Sequence, residues 1–579
     1  MQRYSQRPLV LAATMTAFLA VACQPEEAPL RRTISQGTVE GYQDEATGAL
    51  VWKGIPFARP PVGDLRWRES QDPDPWDGVL ETREDPAPCT QLSAAPPEVV
   101  GGEDCLYLSV YRPPSAEGNL PVYFWIHGGG NYDGQAALYD LERLAINGNL
   151  VAVVTQYRLN AFGYFTHPTL RRGAGADASG NYGTLDQIQS LQWVRDNIAV
   201  FGGDPGNVTI AGESAGGHDV IPLMTSPLAR GLFHRAVMES GGMASQSVAK
   251  TDSIANRSIE MALVMKGLAE DSLQAHALRE GMDESEIAGF LHGLSADELI
   301  VAHAGGPGRR DVPLANVIED GSVIPYDLLC SVEKGEYTRV PLMAGVTASE
   351  FGVSARRWRE GIADVIAGTT TLEAVLPSTA DREQWTRVRE YGSAFWRAVM
   401  LDELVRRAAE HQTDVYAYSF DWGMKGVLSE PLELLFGAAH GMEIPLFQGN
   451  VDAGDLLPGW LVFRGFTEAN RPGRQALSDA MVAYLAEFVR TGNPNAPASG
   501  LPEWKPWTNV SGALKTMHLD ADLDRAYLAM GSDELWVADV RRRLDAEPTA
   551  VQQYVRPFLW SRLPYAVYQT GDYSFGGCG

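Results

Sequence analysis

Lysine and arginine are scarce in this chain. They total 47 against 73 aspartates and glutamates in 579 residues, a formal net charge of −26. A protein so short of positive charge is a poor candidate for a general nucleic-acid binder, because phosphates would repel it. Otherwise the acidity means solubility. Cysteine is scarce as well, with five residues, and their spacings do not suggest a zinc site. Long apolar runs are missing after the first 22 residues. No later segment offers about 18 uninterrupted apolar residues, so the remainder is expected to be soluble. Internal repeats and Pro/Ser-rich linkers long enough to split the chain are also missing. Length alone suggests about four domains at roughly 150 residues each, but without linkers one large domain with insertions fits better. The 45% hydrophobic content is ordinary for a globular protein and excludes disorder throughout.

The one early apolar run is Pro8–Ala22, preceded by Arg3 and Arg7, with no acidic residue before Glu26. A short apolar core behind a basic start reads as a secretory signal over residues 1–22. The run ends in Leu19-Ala20-Val21-Ala22-Cys23. Small residues before a cysteine resemble a bacterial lipoprotein processing site, although the leucine stands one place early. Lipidation of Cys23 is therefore expected, with ordinary cleavage nearby as the alternative. Processing would take the net charge from −26 to −28, since it removes two arginines and no acid. The expected location is exported, as a periplasmic or membrane-anchored lipoprotein tethered through Cys23, or otherwise secreted. Residues 23–36 form a short tether. Export permits disulfides. Of the remaining cysteines, Cys89 and Cys105 are the best local pair, and Cys330 and Cys578 are undetermined.

From Gly37 onward, short apolar runs alternate with helical patterns, which favours an α/β sheet protein. Strands are expected at Val122–Ile126, Val151–Tyr157, Val208–Ala211, Ala236–Glu239, Val340–Val346, Val415–Phe420 and Thr516–Leu519. A helix is expected over Thr184–Phe201, with Thr184-x-x-Gln187 as a capping box and Gly202-Gly203 as its stop. A second is expected over Ala476–Arg490. Residues 251–310 are rich in helix formers and are expected beside the sheet as a cap. Residues 37–544 make up the main domain and 545–579 a C-terminal extension.

Gly212-Glu213-Ser214-Ala215-Gly216 follows one predicted strand and precedes an apolar helical stretch. That is the setting of a nucleophile elbow, in which glycines permit a sharp turn that exposes the serine hydroxyl. His127-Gly128-Gly129-Gly130 follows an upstream strand, as in esterases whose oxyanion hole uses this motif. The N–H groups of Gly129, Gly130 and Ala215 are the expected donors. In this fold class the acid and then the histidine follow the serine. His440 sits in a small-residue loop free to reach a site, whereas His411 lies in a polar helical stretch and His518 inside a strand. Glu350 follows a strand by a short loop, and Asp311, Glu319 and Asp320 remain as alternatives.

With these residues in view, the sequence resembles the type-B carboxylesterases, the cholinesterase-like branch of the α/β-hydrolases. The match runs from about Gly37 to about Trp536. It is carried by Lys53-Gly54-Ile55-Pro56-Phe57-Ala58, Glu103-Asp104-Cys105-Leu106-Tyr107-Leu108, Gly180-Asn181-Tyr182-Gly183, Phe201-Gly202-Gly203-Asp204-Pro205, the elbow, Gly345–Glu350, His440-Gly441-x-Glu443-Ile444-Pro445 and Thr491-Gly492-Asn493-Pro494. The resemblance implies an α/β-hydrolase fold, with a large, mixed, mostly parallel sheet flanked by helices and a gorge leading to Ser214. It implies Ser214 as nucleophile, Glu350 as acid, His440 as base and a Cys89–Cys105 disulfide. Glu213, Ser240 and Glu443 would be hydrogen-bonding residues behind the triad. The implied activity is hydrolysis of small carboxylic esters without metal or cofactor. An amidase or a lipase would use the same triad, and some relatives are silent binding proteins. Asn131 and His218 depart from the family pattern near the expected acyl pocket. The short loop between Cys89 and Cys105 lacks tryptophan, which argues against choline esters as main substrates.

Overall fold

The computed structural model describes residues 30–562 and 578, apart from 94–96, 116, 172, 174, 244, 310, 312–316, 355–360, 368, 425, 453–464 and 498. Cys23 and the proposed signal segment lie outside the described residues.

The centre of the molecule is an eleven-stranded sheet. In chain order its strands are β1 (Tyr42–Gln43), β2 (Leu50–Pro56), β3 (Tyr107–Arg112), β4 (Leu120–Ile126), β5 (Val151–Thr155), β6 (Gly203–Glu213), β7 (Arg235–Glu239), β8 (Leu342–Thr347), β9 (Val415–Phe420), β10 (Thr516–Ala521) and β11 (Ala526–Gly531). Across the sheet the order is β11-β10-β9-β8-β7-β6-β4-β5-β3-β2-β1. Every pairing from β5 through β4 and β6 to β10 is parallel. The antiparallel pairings lie at the two edges, β1, β2 and β3 at one and β11 at the other.

The central strands are apolar on both faces because both faces are covered. In β4, Leu120, Val122, Phe124 and Ile126 enter one core, while Tyr123 and Trp125 enter the other. The predicted strands are present with small changes at their ends. The strand expected at Val208–Ala211 is longer, because Gly203 pairs with Leu120 before a register shift to Val208–Val122.

The helix expected over Thr184–Phe201 is α1 (Tyr182–Asn197), followed by a separate 3-10 turn, Ile198–Phe201. Its capping box is not formed. The N-cap is Asn181, Thr184 lies inside the first turn, and the Gln187 amide is turned to Asp219 instead. Gly202, at φ 83°, ends the run in the left-handed conformation.

After α2 (Ala215–Thr225), four helices span 248–303: α3 (Val248–Met265), α4 (Ser272–Gly281), α5 (Glu284–Gly293) and α6 (Ala296–His303). The buried faces of these helices join the same core as Val122 and Phe124. Farther on are α7 (Thr379–Trp396), α8 (Glu443–Phe447) and α9 (Arg471–Thr491), which covers the helix expected at Ala476–Arg490. Helix α10 (Thr549–Arg562), in the C-terminal extension, packs on α7 through buried Val555, Phe558 and Leu559.

Cys89 and Cys105 form a disulfide, and Cys330 is bonded to Cys578, a pairing the sequence left open.

Candidate active site

The carboxyl ends of β4, β6, β7 and β8 lie side by side. Gly212 is paired with Ile126, Glu213 with Glu239, and Glu239 with Gly345. Loops leaving these strands emerge at one edge, where open α/β sheets place their sites. Ser214 is the single residue between β6 and α2. Its φ of 56° and ψ of −118° are strained for a non-glycine residue. The flanking glycines let helix and strands approach closely. A Cβ on Gly216 would meet the Ile126 carbonyl oxygen at 2.0 Å, and one on Gly212 would meet the Gly216 carbonyl carbon at 2.5 Å.

The glycine loop leaves β4 directly beside the elbow. Gly129 and Gly130 have φ values of 116° and 66°, which favour glycine. The Gly128 N–H donates to the Tyr139 hydroxyl at 3.1 Å and is spent. Among the described residues, the N–H groups of Gly129, Gly130 and Ala215 make no hydrogen bond.

Glu350 and His440 come from different parts of the chain. An isolated bridge between Ser349 and Ala439 draws their loops together, and the Ser349 N–H donates to the Ala438 carbonyl at 2.9 Å. One oxygen of the buried Glu350 carboxylate accepts the Thr347 N–H at 2.7 Å. The other is hydrogen-bonded to His440 Nδ1. The second ring nitrogen, Nε2, lies 3.2 Å from Glu213 Oε1, without the alignment of a hydrogen bond. No hydrogen bond joins Ser214 and His440 among those described. The Trp396 indole stands edge-on to the imidazole, with ring centres 5.7 Å apart.

Three carboxylates crowd this histidine. Burial lowers the His440 pKa, but the charges of Glu213 and Glu350 outweigh it and push the imidazole up. Burial raises Glu213, the His440 charge pulls it down, and Glu350 raises it again. Glu443 is pushed up by burial and then by Glu213 and Glu350, while its Oε1 accepts the Ser240 hydroxyl. Ser240 and Glu443 thus form a buried pair behind the histidine. Glu213 instead faces His440 Nε2, a placement the sequence did not reveal.

The other histidine candidates are engaged elsewhere. A ring nitrogen of His411 contacts the Glu333 carbonyl at 2.6 Å, and His518 lies between Asp421 and Asp533. Asn131 is buried beside the glycine loop. It is 4% exposed, and its side chain is turned inward to Asp219 and Tyr157. His218 Nδ1 lies 3.0 Å from the Gly242 carbonyl, and burial lowers its pKa to about 4, so it is neutral and donates there. Among the described residues, Asp327, Cys330 and Cys578 have metal-ligand spacing, but the two sulfurs are joined in the disulfide.

A model of the carboxylesterase family matches residues 28–390 and 370–530. Cocaine esterase of Homo sapiens is 31% identical over 525 residues, 83% of this chain and 86% of that protein. Para-nitrobenzyl esterase of Bacillus subtilis is 30% identical over 514 residues, 85% and 95% respectively. A solved para-nitrobenzyl esterase superimposes with a TM-score of 0.66 at 27% identity, covering 89% of this chain and 99% of its own. A carboxylesterase of Geobacillus stearothermophilus gives the same TM-score at 28% identity, covering 86% and 98%. With its α/β-hydrolase fold, this chain belongs to the type-B carboxylesterase family, enzymes that hydrolyse carboxylic esters.

Proposed function

We propose that the chain hydrolyses small carboxylic esters through an acyl-enzyme formed on Ser214. His440 takes the serine proton as the hydroxyl oxygen attacks the ester carbonyl. Glu350 fixes the imidazole tautomer through Nδ1 and stabilises the imidazolium. The N–H groups of Gly129, Gly130 and Ala215 receive the negative oxygen of the tetrahedral intermediate. His440 then protonates the departing alcohol. Water, activated by the same imidazole, attacks the acyl-serine carbonyl and releases the acid. For the first step Nε2 must turn from Glu213 to the serine hydroxyl, a contact that often tightens only when substrate is bound.

The observation that carries this reading is the Glu350–His440 hydrogen bond beside a serine held in strained backbone. The test is a panel of p-nitrophenyl esters graded by acyl length, with Ser214→Ala as control. Hydrolysis by the native protein is expected to fall by about 1000-fold or more in the variant. A fluorophosphonate probe should label the native protein and not Ser214→Ala. A variant with undiminished activity would sink the assignment.

A further inference from the structure

The glycine loop has a side-chain brace that the chemistry above does not use. Three successive residues, Gly129, Gly130 and Asn131, have positive φ values of 116°, 66° and 56°. Such a turn aims successive N–H groups to one side, and it persists only where its surroundings hold it. What holds it here is polar and buried. The Tyr157 hydroxyl lies 2.8 Å from the His127 carbonyl oxygen, just before the glycines. It also lies 2.8 Å from Asn131 Oδ1, just after them. Both oxygens are acceptors, so the single hydroxyl proton is shared between the two ends of the loop, and the tyrosine ring stacks on His127 with centres 4.5 Å apart.

On its other side, Asn131 Nδ2 donates to Asp219 Oδ1 at 3.0 Å. Asp219 is one turn into α2, the helix that follows Ser214. It is 1% exposed and is held by the Gln187 amide at 2.5 Å and, more weakly, by the Tyr164 hydroxyl at 3.5 Å. The Asn131 carbonyl accepts the Asn160 N–H at 2.7 Å.

We infer that Asn131, tied to Asp219 and Tyr157, is a positioning residue for the oxyanion hole. It locks the Gly129 and Gly130 N–H groups in register with the Ala215 N–H at the start of α2. The inference rests on the Ser214 reading. An alanine at 131 would leave the Asp219 and Tyr157 groups without these partners. The loop could then relax away from the helix, and donors displaced by a fraction of an ångström stabilise the intermediate less.

The test compares Asn131→Ala, Tyr157→Phe and Asp219→Asn, with rates per active site titrated by a fluorophosphonate. Asn131→Ala is expected to lower kcat for p-nitrophenyl acetate by about 10- to 100-fold, with KM changed less than about threefold. Affinity for a trifluoromethyl ketone, which mimics the tetrahedral intermediate, should fall in parallel with kcat/KM. Asp219→Asn keeps a carbonyl for the Asn131 amide and should retain most of the activity. Tyr157→Phe removes one hydroxyl and decides the matter if Asn131→Ala does not fold. Unchanged kcat in the folded variants, or a loss confined to KM, would overturn the brace. Native activity that survives Ser214→Ala would overturn the Ser214 reading instead, so the two failures are distinguishable.

Discussion

At the scale of single residues, the charge around His440 decides when the site can work. The proposed mechanism needs His440 neutral at Nε2, yet Glu213 faces that nitrogen and its charge raises the imidazole pKa. Activity should therefore fall as the pH drops and His440 takes up a proton. Glu213→Gln removes one of the raising charges, so the acid limb of kcat/KM is expected to move down by about one pH unit. A pH–rate profile with an unmoved limb would show that Glu213 does not act on Nε2 as a charge. A second histidine bears on stability instead. Hydrogen bonds that His518 donates to Asp421 and Asp533, each 2.7 Å away, raise its pKa to about 9 against the effect of burial, and the two charges add to the rise. Because the folded pKa lies above the unfolded value of about 6.5, this contribution is full below about pH 6.5 and disappears as the pH rises through about 9. The melting temperature of the native protein should exceed that of His518→Asn most at the acid end. The difference should close above that range. A gap constant with pH would count against the charged His518.

At the scale of elements, the elbow and the glycine loop depend on close approach between backbones. A Cβ at Gly129 would lie 2.0 Å from the Asp133 carbonyl oxygen, on a residue with a φ of 116°. Gly129→Ala must therefore distort the loop and move two donors at once. Its kcat is expected to fall by about 100-fold or more while Ser214 remains available to a fluorophosphonate. Retained kcat would remove Gly129 from the oxyanion hole. The C-terminal helix α10 is also tied to this region. Phe558 meets Phe351 edge-on at 5.7 Å, and Phe351 follows Glu350 in the chain. The aromatic residues of the extension therefore dock on the body at least through Phe558. The expected tail beyond 562 lies outside the described residues except for Cys578, which is bonded to Cys330.

At the scale of the whole molecule, one sheet gathers residues from distant parts of the chain. The loops that carry Gly129, Ser214 and Glu350 leave parallel strands at the same edge, and the Ser349–Ala439 bridge draws the His440 loop to them. A length that suggested four domains is used to build a single eleven-stranded sheet. We also propose that the chain is exported and tethered through a lipid on Cys23, on the strength of the basic start, the short apolar core and the small residues before that cysteine. Cys23→Ala expressed in a bacterium should release the protein from the membrane fraction. Membrane association that persists unchanged would refute the anchor.

The sequence by itself determined the features that contiguous residues encode. The apolar runs of β4 to β9, the glycines around Ser214 and the glycines after His127 are local instructions for strands and turns. They were legible because backbone conformation depends on near neighbours. The five cysteines and the acidic balance said little about chemistry. Tertiary structure alone decided which side chains face one another across large sequence separations. It turned Glu213 onto His440 Nε2, bound Asn131 to Asp219, and spent Gln187 on that network rather than on a helix cap. It also joined Cys330 to Cys578, 248 residues apart. Such pairings depend on strand register and on how loops cross the sheet edge, and no local pattern in the chain records either one.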